Sequence, residues 1–130
     1  MTAALVATLA ALTLVGSVQG ALAQANCTSG SLKTAGDCFN KLLDQANADM
    51  QAKYLADQAV VKDQSTFVAL LAKSQDAWLA YRSQTCDNLV ETYFQQGTMQ
   101  SVAVTSCKLA LTKERVSDLQ NLFQSLWGVQ

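Results

Sequence analysis

The stretch Ser74-Gln75-Asp76-Ala77-Trp78-Leu79-Ala80-Tyr81-Arg82-Ser83-Gln84-Thr85-Cys86 decides how this chain folds. Phe67, Leu71, Ser74, Trp78, Tyr81 and Thr85 recur at alternating spacings of four and three residues. That period belongs to a helix and cannot be carried by a strand. A second helical run answers it, with Val102, Thr105, Leu109, Thr112, Val116, Leu119, Phe123 and Leu126 repeating the same spacing up to Gly128. Between the two lies Gly97, eleven residues after Cys86 and ten before Cys107. If the helices run antiparallel about a turn at Phe94–Thr98, the two thiols stand level, and a disulfide requires Cα atoms within about 7 Å.

Working outward, Asp37 is placed to cap an earlier helix from about Cys38 to Val61, with Phe39, Leu42, Leu43, Ala46, Met50, Tyr54 and Leu55 as its apolar positions. Asp37/Lys41, Asp49/Lys53 and Lys53/Asp57 are opposite charges four apart on its solvated face. Thr28 to Gly36 is rich in Ser, Thr and Gly and reads as an irregular lead-in loop. Asp63 or Ser65 is the expected cap of the second helix and Thr98 that of the third. The sequence contains no proline to break such helices. The expected fold is all-α, a small disulfide-stapled bundle of three main helices in which the second and third form an antiparallel hairpin.

The first residues point to export. Ala3 to Val15 is an uncharged run of small and apolar residues, and Ala21-Leu22-Ala23 has the small-x-small form of a signal-peptidase site. Residues 1–23 are therefore read as a signal peptide and 24–130 as a single helical domain. The apolar run is shorter than the roughly 20 residues that a membrane-spanning helix needs. Gln24-Ala25-Asn26 before Cys27 lacks a lipidation box, so no stable membrane anchor is expected after cleavage. The n-region carries only the terminal amine as a positive charge, which leaves open an upstream start.

Four cysteines, Cys27, Cys38, Cys86 and Cys107, in an exported chain favour disulfides over free thiols. Of the three pairings that four cysteines allow, sequence proximity and the hairpin symmetry select Cys27–Cys38 with Cys86–Cys107. Zinc is disfavoured by the absence of any histidine and of a C-x-x-C pair. The same lack of histidine removes the commonest general base. The serines have no adjacent base, the carboxylates are dispersed along helices, and no phosphate loop or dinucleotide fingerprint occurs. No catalytic residue, metal or cofactor is expected. With 9 basic against 10 acidic residues, no basic block offers a nucleic-acid surface.

What remains is protein binding. The hairpin places Arg82 near Glu114, predicting an interhelical bridge, and Trp78 level with Arg115, predicting a cation–π contact. Trp78, Tyr81, Arg82, Glu114 and Arg115 are thus read as architecture. The connection carries Tyr93, Phe94, Gly97 and Met99 near a loop tip, and aromatics on a rigid scaffold make good interface anchors. The competing reading folds Tyr93 and Phe94 back over the end of the core, and Trp127 is expected to cap the bundle.

The central stretch resembles the A-Q-x-A-W-x-x-Y/F-R-D-x-x-C signature of LprI-type lysozyme-inhibitor-like domains. Cys107-Lys108-Leu109-Ala110-Leu111-Thr112-Lys113-Glu114-Arg115 is similar to that family's C-x-x-x-L-T-x-x-R segment. The likeness runs from Cys27 to Leu119, with Ser83 in place of the usual Asp. It implies a helical, disulfide-bonded bacterial envelope protein, periplasmic or secreted, and inhibition of lysozyme by occlusion of the substrate cleft. The alternatives are a non-inhibitory structural or adaptor module of the envelope and, further off, a carrier with an apolar pocket. Since the chain is nearly neutral, electrostatic steering toward a basic lysozyme is small and binding would rest on shape and local contacts.

Overall fold

A computed structural model of the chain describes residues 27–95 and 97–128. The expected signal peptide lies outside the described residues. Four α-helices follow in order: α1 Leu32–Val60, α2 Ser65–Ser83, α3 Glu91–Phe94 and α4 Gln100–Trp127, with a π-helical stretch Gln84–Val90 joining α2 to α3. There is no strand among the described residues. α2, the π stretch and α3 make one continuous rod, so the architecture is three long helical rods with the second and third antiparallel.

The first helix begins earlier than the sequence suggested. Ser31 has extended backbone and its hydroxyl accepts from the Thr34 N–H at 3.2 Å, a side-chain N-cap that starts α1 at Leu32. Gly30 precedes it with a φ of +98°, a conformation that glycine adopts without steric cost. Asp37 therefore lies inside the helix, where it pairs with Lys33 four residues before it, at 2.6 Å. The Cys27–Cys38 disulfide, with Cα atoms 5.5 Å apart, ties the preceding turn back onto α1. Neither Asp63 nor Ser65 caps α2. Its N-cap is Gln64, held by the Val61–Gln64 turn (N–H to carbonyl 2.8 Å) and without a side-chain bond. Thr98 likewise gives way to Met99 at the start of α4. Gly128 ends α4 in the left-handed conformation, at a φ of 67°, its N–H returning to the Gln124 carbonyl.

α1 and α4 run parallel, because the rod between them carries the chain back. Gly36 lies beside Val102, Asn40 beside Thr105 and Lys53 beside Phe123, positions that advance together along both helices. The closest backbone packing is between this parallel pair. α2 does not pack on α4 along its whole length: the backbones approach mainly around the π stretch. Large side chains (Trp78, Arg82, Arg115) occupy the wider gap.

The apolar core sits at the end opposite the α3–α4 connection. Val61, Leu71, Leu119 and Phe123 are buried there, with Tyr54, Phe67, Val68 and Trp127 packed around them. Trp127 stacks on Phe123 at 4.9 Å between ring centroids, and Phe67 meets both rings edge-on. Such aromatic pairs contribute about 0.5–1.5 kcal/mol each beyond burial. Trp127 thus closes that end of the bundle. Three expected core positions do not face inward: Leu55, Tyr81 and Leu126 are all more than half exposed. On α2 the inward side chains are Leu71, Gln75, Trp78 and Arg82, leading to the fully buried Cys86. The buried face is therefore rotated relative to the apolar periodicity, because Gln75 and Arg82 point inward and find polar partners.

Candidate functional site

The rod's inner face carries a polar seam. Arg82 Nη1 donates to Asn47 Oδ1 on α1 at 2.9 Å and to Thr112 Oγ1 on α4 at 2.8 Å, joining all three rods through one nitrogen. Thr112 in turn donates to the Lys108 carbonyl at 2.7 Å. The Arg82 guanidinium lies 4.8 Å from the Trp78 ring centroid and that of Arg115 lies 6.0 Å away, so the indole has two cationic neighbours. Arg115 also donates to Gln75 Oε1 and Ser74 Oγ, each at 3.1 Å. Gln75 donates to Met50 Sδ. Burial lowers the pKa of both arginines; the Asp87 charge partly offsets this for Arg82, as the Asp118 charge does for Arg115.

The expected Arg82–Glu114 bridge is not formed. Among the described residues Arg82 bonds to Asn47 and Thr112, and Glu114 is exposed. The hairpin symmetry itself pointed to Thr112, since Arg82 and Thr112 each lie fifteen residues from Gly97. A half-buried guanidinium is satisfied there by neutral acceptors, Thr112 standing two positions nearer Cys107 than the Glu114 carboxylate does. The same symmetry pairs Asp87 with Lys108, which meet at 2.6 Å. The hydrogen bond from Lys108, followed by one from Ser83, holds the Asp87 carboxyl below the ordinary range against some desolvation.

Beside that pair the Cys86–Cys107 disulfide joins the π stretch to α4, with Cα atoms 5.7 Å apart. Next to it is a surface cleft of about 470 Å³ lined by Asp87, Asn88, Glu91, Thr92, Gln95 and Gln100. Its side chains are tethered to one another and to the rod: Gln100 donates to Glu91 at 2.8 Å and Asn88 to Gln84 at 2.7 Å. The lining residues are all polar or charged, though their aliphatic carbons supply nearly half of its surface, so this is not the apolar pocket a carrier would need.

At the α3–α4 connection, Tyr93 is 82% exposed and Phe94 partly so, their rings edge-to-face at 5.3 Å. Met99 is exposed as well. These aromatics do not fold over the core. The left-handed residue of the turn is Gln95, at a φ of 44°, rather than Gly97. Gly97 instead makes a close approach: its N–H donates to the Phe94 carbonyl at 3.1 Å, and a Cβ there would sit 3.3 Å from that oxygen. Among the described residues no group of three or more His, Cys, Asp or Glu is placed to hold a metal ion. No described helix is long and apolar enough to cross a membrane.

The family model described as "Lysozyme inhibitor LprI" matches residues 18–119, and the chain belongs to this family. Among curated proteins and solved structures none matches the chain significantly.

Proposed function

From that membership we propose that the chain is an exported protein-binding domain that inhibits a lysozyme by covering its substrate cleft. The family match over residues 18–119 carries the reading. Two disulfides suit a protein that works in an oxidising compartment, periplasmic or secreted. The binding surface in this reading is the α3–α4 corner with Tyr93, Phe94, Gly97 and Met99, where exposed rings stand on a segment stapled next door by Cys86–Cys107. The family-signature residues Trp78, Arg82 and Arg115 are engaged inside the bundle, so they serve the scaffold and not the contact.

A turbidity assay of cell-wall lysis with purified, oxidised protein tests the proposal. Dose-dependent protection against at least one lysozyme type is expected. No protection against several types at micromolar protein sinks it, and leaves the second reading, a structural or adaptor module of the envelope. That alternative is favoured by one observation, that the signature residues are spent on architecture.

A further inference from the structure

We propose that two copies of this chain form a dimer by exchanging α1, the turn at Val61–Gln64 straightening so that α1 and α2 become one continuous helix. This exchange is a property of the fold and is independent of the inhibitor reading above. Its basis is the phase of the inward-facing positions. Asn47, Tyr54, Val61, Val68, Gln75 and Arg82 are buried or half-buried, and each lies seven residues after the one before. Three positions on, Met50, Asp57, Leu71 and Trp78 keep the same repeat and also face inward. Gln64, in the turn itself, is the one exposed residue on these two rows between Asn47 and Arg82.

A helical hairpin does not require that agreement, because two helices joined by a turn can each bury a face of any phase. Here the repeat crosses the turn without slipping, as it would in a single helix. Spacings of three and four sustained over that length are those of a coiled-coil seam. The turn is also locally weak. It contains no glycine, no proline and no left-handed residue. α2 has no side-chain N-cap, and α1 has no basic residue in its last turn. The Gln64 N–H on the Val61 carbonyl closes the turn at 2.8 Å, and Val61 is its one buried side chain. A helix continued through the turn gives the end groups of both helices i→i−4 partners that the turn denies them.

The arms on either side of the turn match in length. α1 has 29 residues, while α2, the π stretch and α3 have 19, 7 and 4. Straightened, they make a rod roughly 95 Å long at about 1.5 Å per residue. Two such rods crossing antiparallel at the former turn overlap end to end. The α1 of one copy then meets α2 and α4 of the other as it meets its own in a single chain. Its contacts are remade unchanged: Asn47 with Arg82, Met50 with Gln75, and Lys53 over the Phe123 ring. Only a second copy supplies that set of partners in that register, so the seam itself names the occupant. Neither disulfide obstructs the exchange, since Cys27–Cys38 travels with α1 and Cys86–Cys107 stays with the other helices. Exchange of an identical element is a low-cost route to a dimer, and short hinges invite it.

The test refolds the oxidised full chain at micromolar and at millimolar concentration and measures its mass by light scattering on a size-exclusion column. A dimer is expected after refolding at the higher concentration. It should keep the helical circular dichroism of the monomer and persist on dilution, because its release requires α1 to unpack. Inserting Gly-Ser-Gly-Ser after Asp63 relaxes the turn and interrupts the helix. The insertion should lower the dimer fraction about tenfold or more, as the loss of one or two net hydrogen bonds would. Should it impair folding, Asp63→Gly poses the same question more mildly. Copies carrying Asn40→Cys and copies carrying Thr105→Cys, whose native side chains meet at 3.3 Å, are then refolded together. A disulfide between the two copies is expected in the dimer fraction and not in the monomer fraction. Monomer alone at both concentrations overturns the proposal. So does a dimer whose population survives the relaxed turn, or one that forms no cross-link, because the copies would then meet by their outer faces with α1 in place.

Discussion

Arg82 on α2 and Asn47 on α1 meet at 2.9 Å, thirty-five positions apart in sequence. The same guanidinium nitrogen also holds Thr112. Arg82→Ala removes both hydrogen bonds and the stack on Trp78, leaving Asn47 without this donor. A loss of about 2–3 kcal/mol is expected from hydrogen bonds to a charged group. Arg82→Lys should lose less, since an ammonium keeps charge and donors but not the planar stack. Urea unfolding of the two variants checks the order; equal stability of Arg82→Ala and wild type contradicts it.

Among the described residues Lys53 and Asp57 form the most deeply placed ion pair, Nζ to Oδ1 at 2.8 Å, with the Asp57 side chain 1% exposed and its Oδ2 without a protein partner. Lys53 also sits 5.7 Å from the Phe123 ring centroid. Lys53→Met strands the carboxylate and should cost about 3–5 kcal/mol, the usual penalty for breaking a buried pair from one side. Adding Asp57→Leu to Lys53→Met should restore much of that loss. The comparison of single and double variants in denaturant is decisive, because a merely local packing defect would not be rescued.

Acid sensitivity should reside in part at Asp87. Its folded-state pKa is lowered, first by the Lys108 hydrogen bond. Its stabilising contribution is therefore complete above the unfolded value of about 3.9, and is lost as the pH falls through the folded value. Because the pair is about a third exposed, the contribution should stay below about 1 kcal/mol. Asp87→Asn should flatten that part of the stability profile measured by thermal melts from pH 7 to pH 2, leaving the remainder unchanged.

Opening Cys86–Cys107 by paired serine substitution should cost about 3 kcal/mol. The aromatic core lies at the other end of the bundle, so helical signal at low temperature should persist while the melting temperature drops. Loss of helicity at all temperatures would show instead that the staple is needed to form the rods.

The parts of this fold that were legible in the sequence are those set by period and symmetry. The three-four spacing of Phe67, Leu71 and Trp78 shows a helix, and the placement of Cys86 and Cys107 about Gly97 shows the hairpin. The N-cap at Ser31 was hidden because a Ser/Thr/Gly-rich segment looks equally like a loop until the Thr34 N–H is seen to bond it. The rotation of α2 was hidden for a related reason. Gln75 and Arg82 turn inward only because Met50, Asn47 and Thr112, from other helices, accept them. The π stretch Gln84–Val90 has no composition of its own that would mark it in the sequence. Tyr93 and Phe94 were recognisable as a pair, but only the burial of other groups decides that they stay outside.

Each disulfide closes on its own neighbourhood, Cys27 with Cys38 and Cys86 with Cys107. Neither covalently links α1 to the rest of the bundle. Cleavage of the backbone in the turn at Val61–Gln64 would release two described pieces, each internally cross-linked, held together by side-chain contacts alone. The attachment of α1 to α4 is then an ordinary bimolecular equilibrium, in which the contacts of Asn47 and Met50 with the polar seam and the packing of Lys53 and Tyr54 against the aromatic cluster set the dissociation constant.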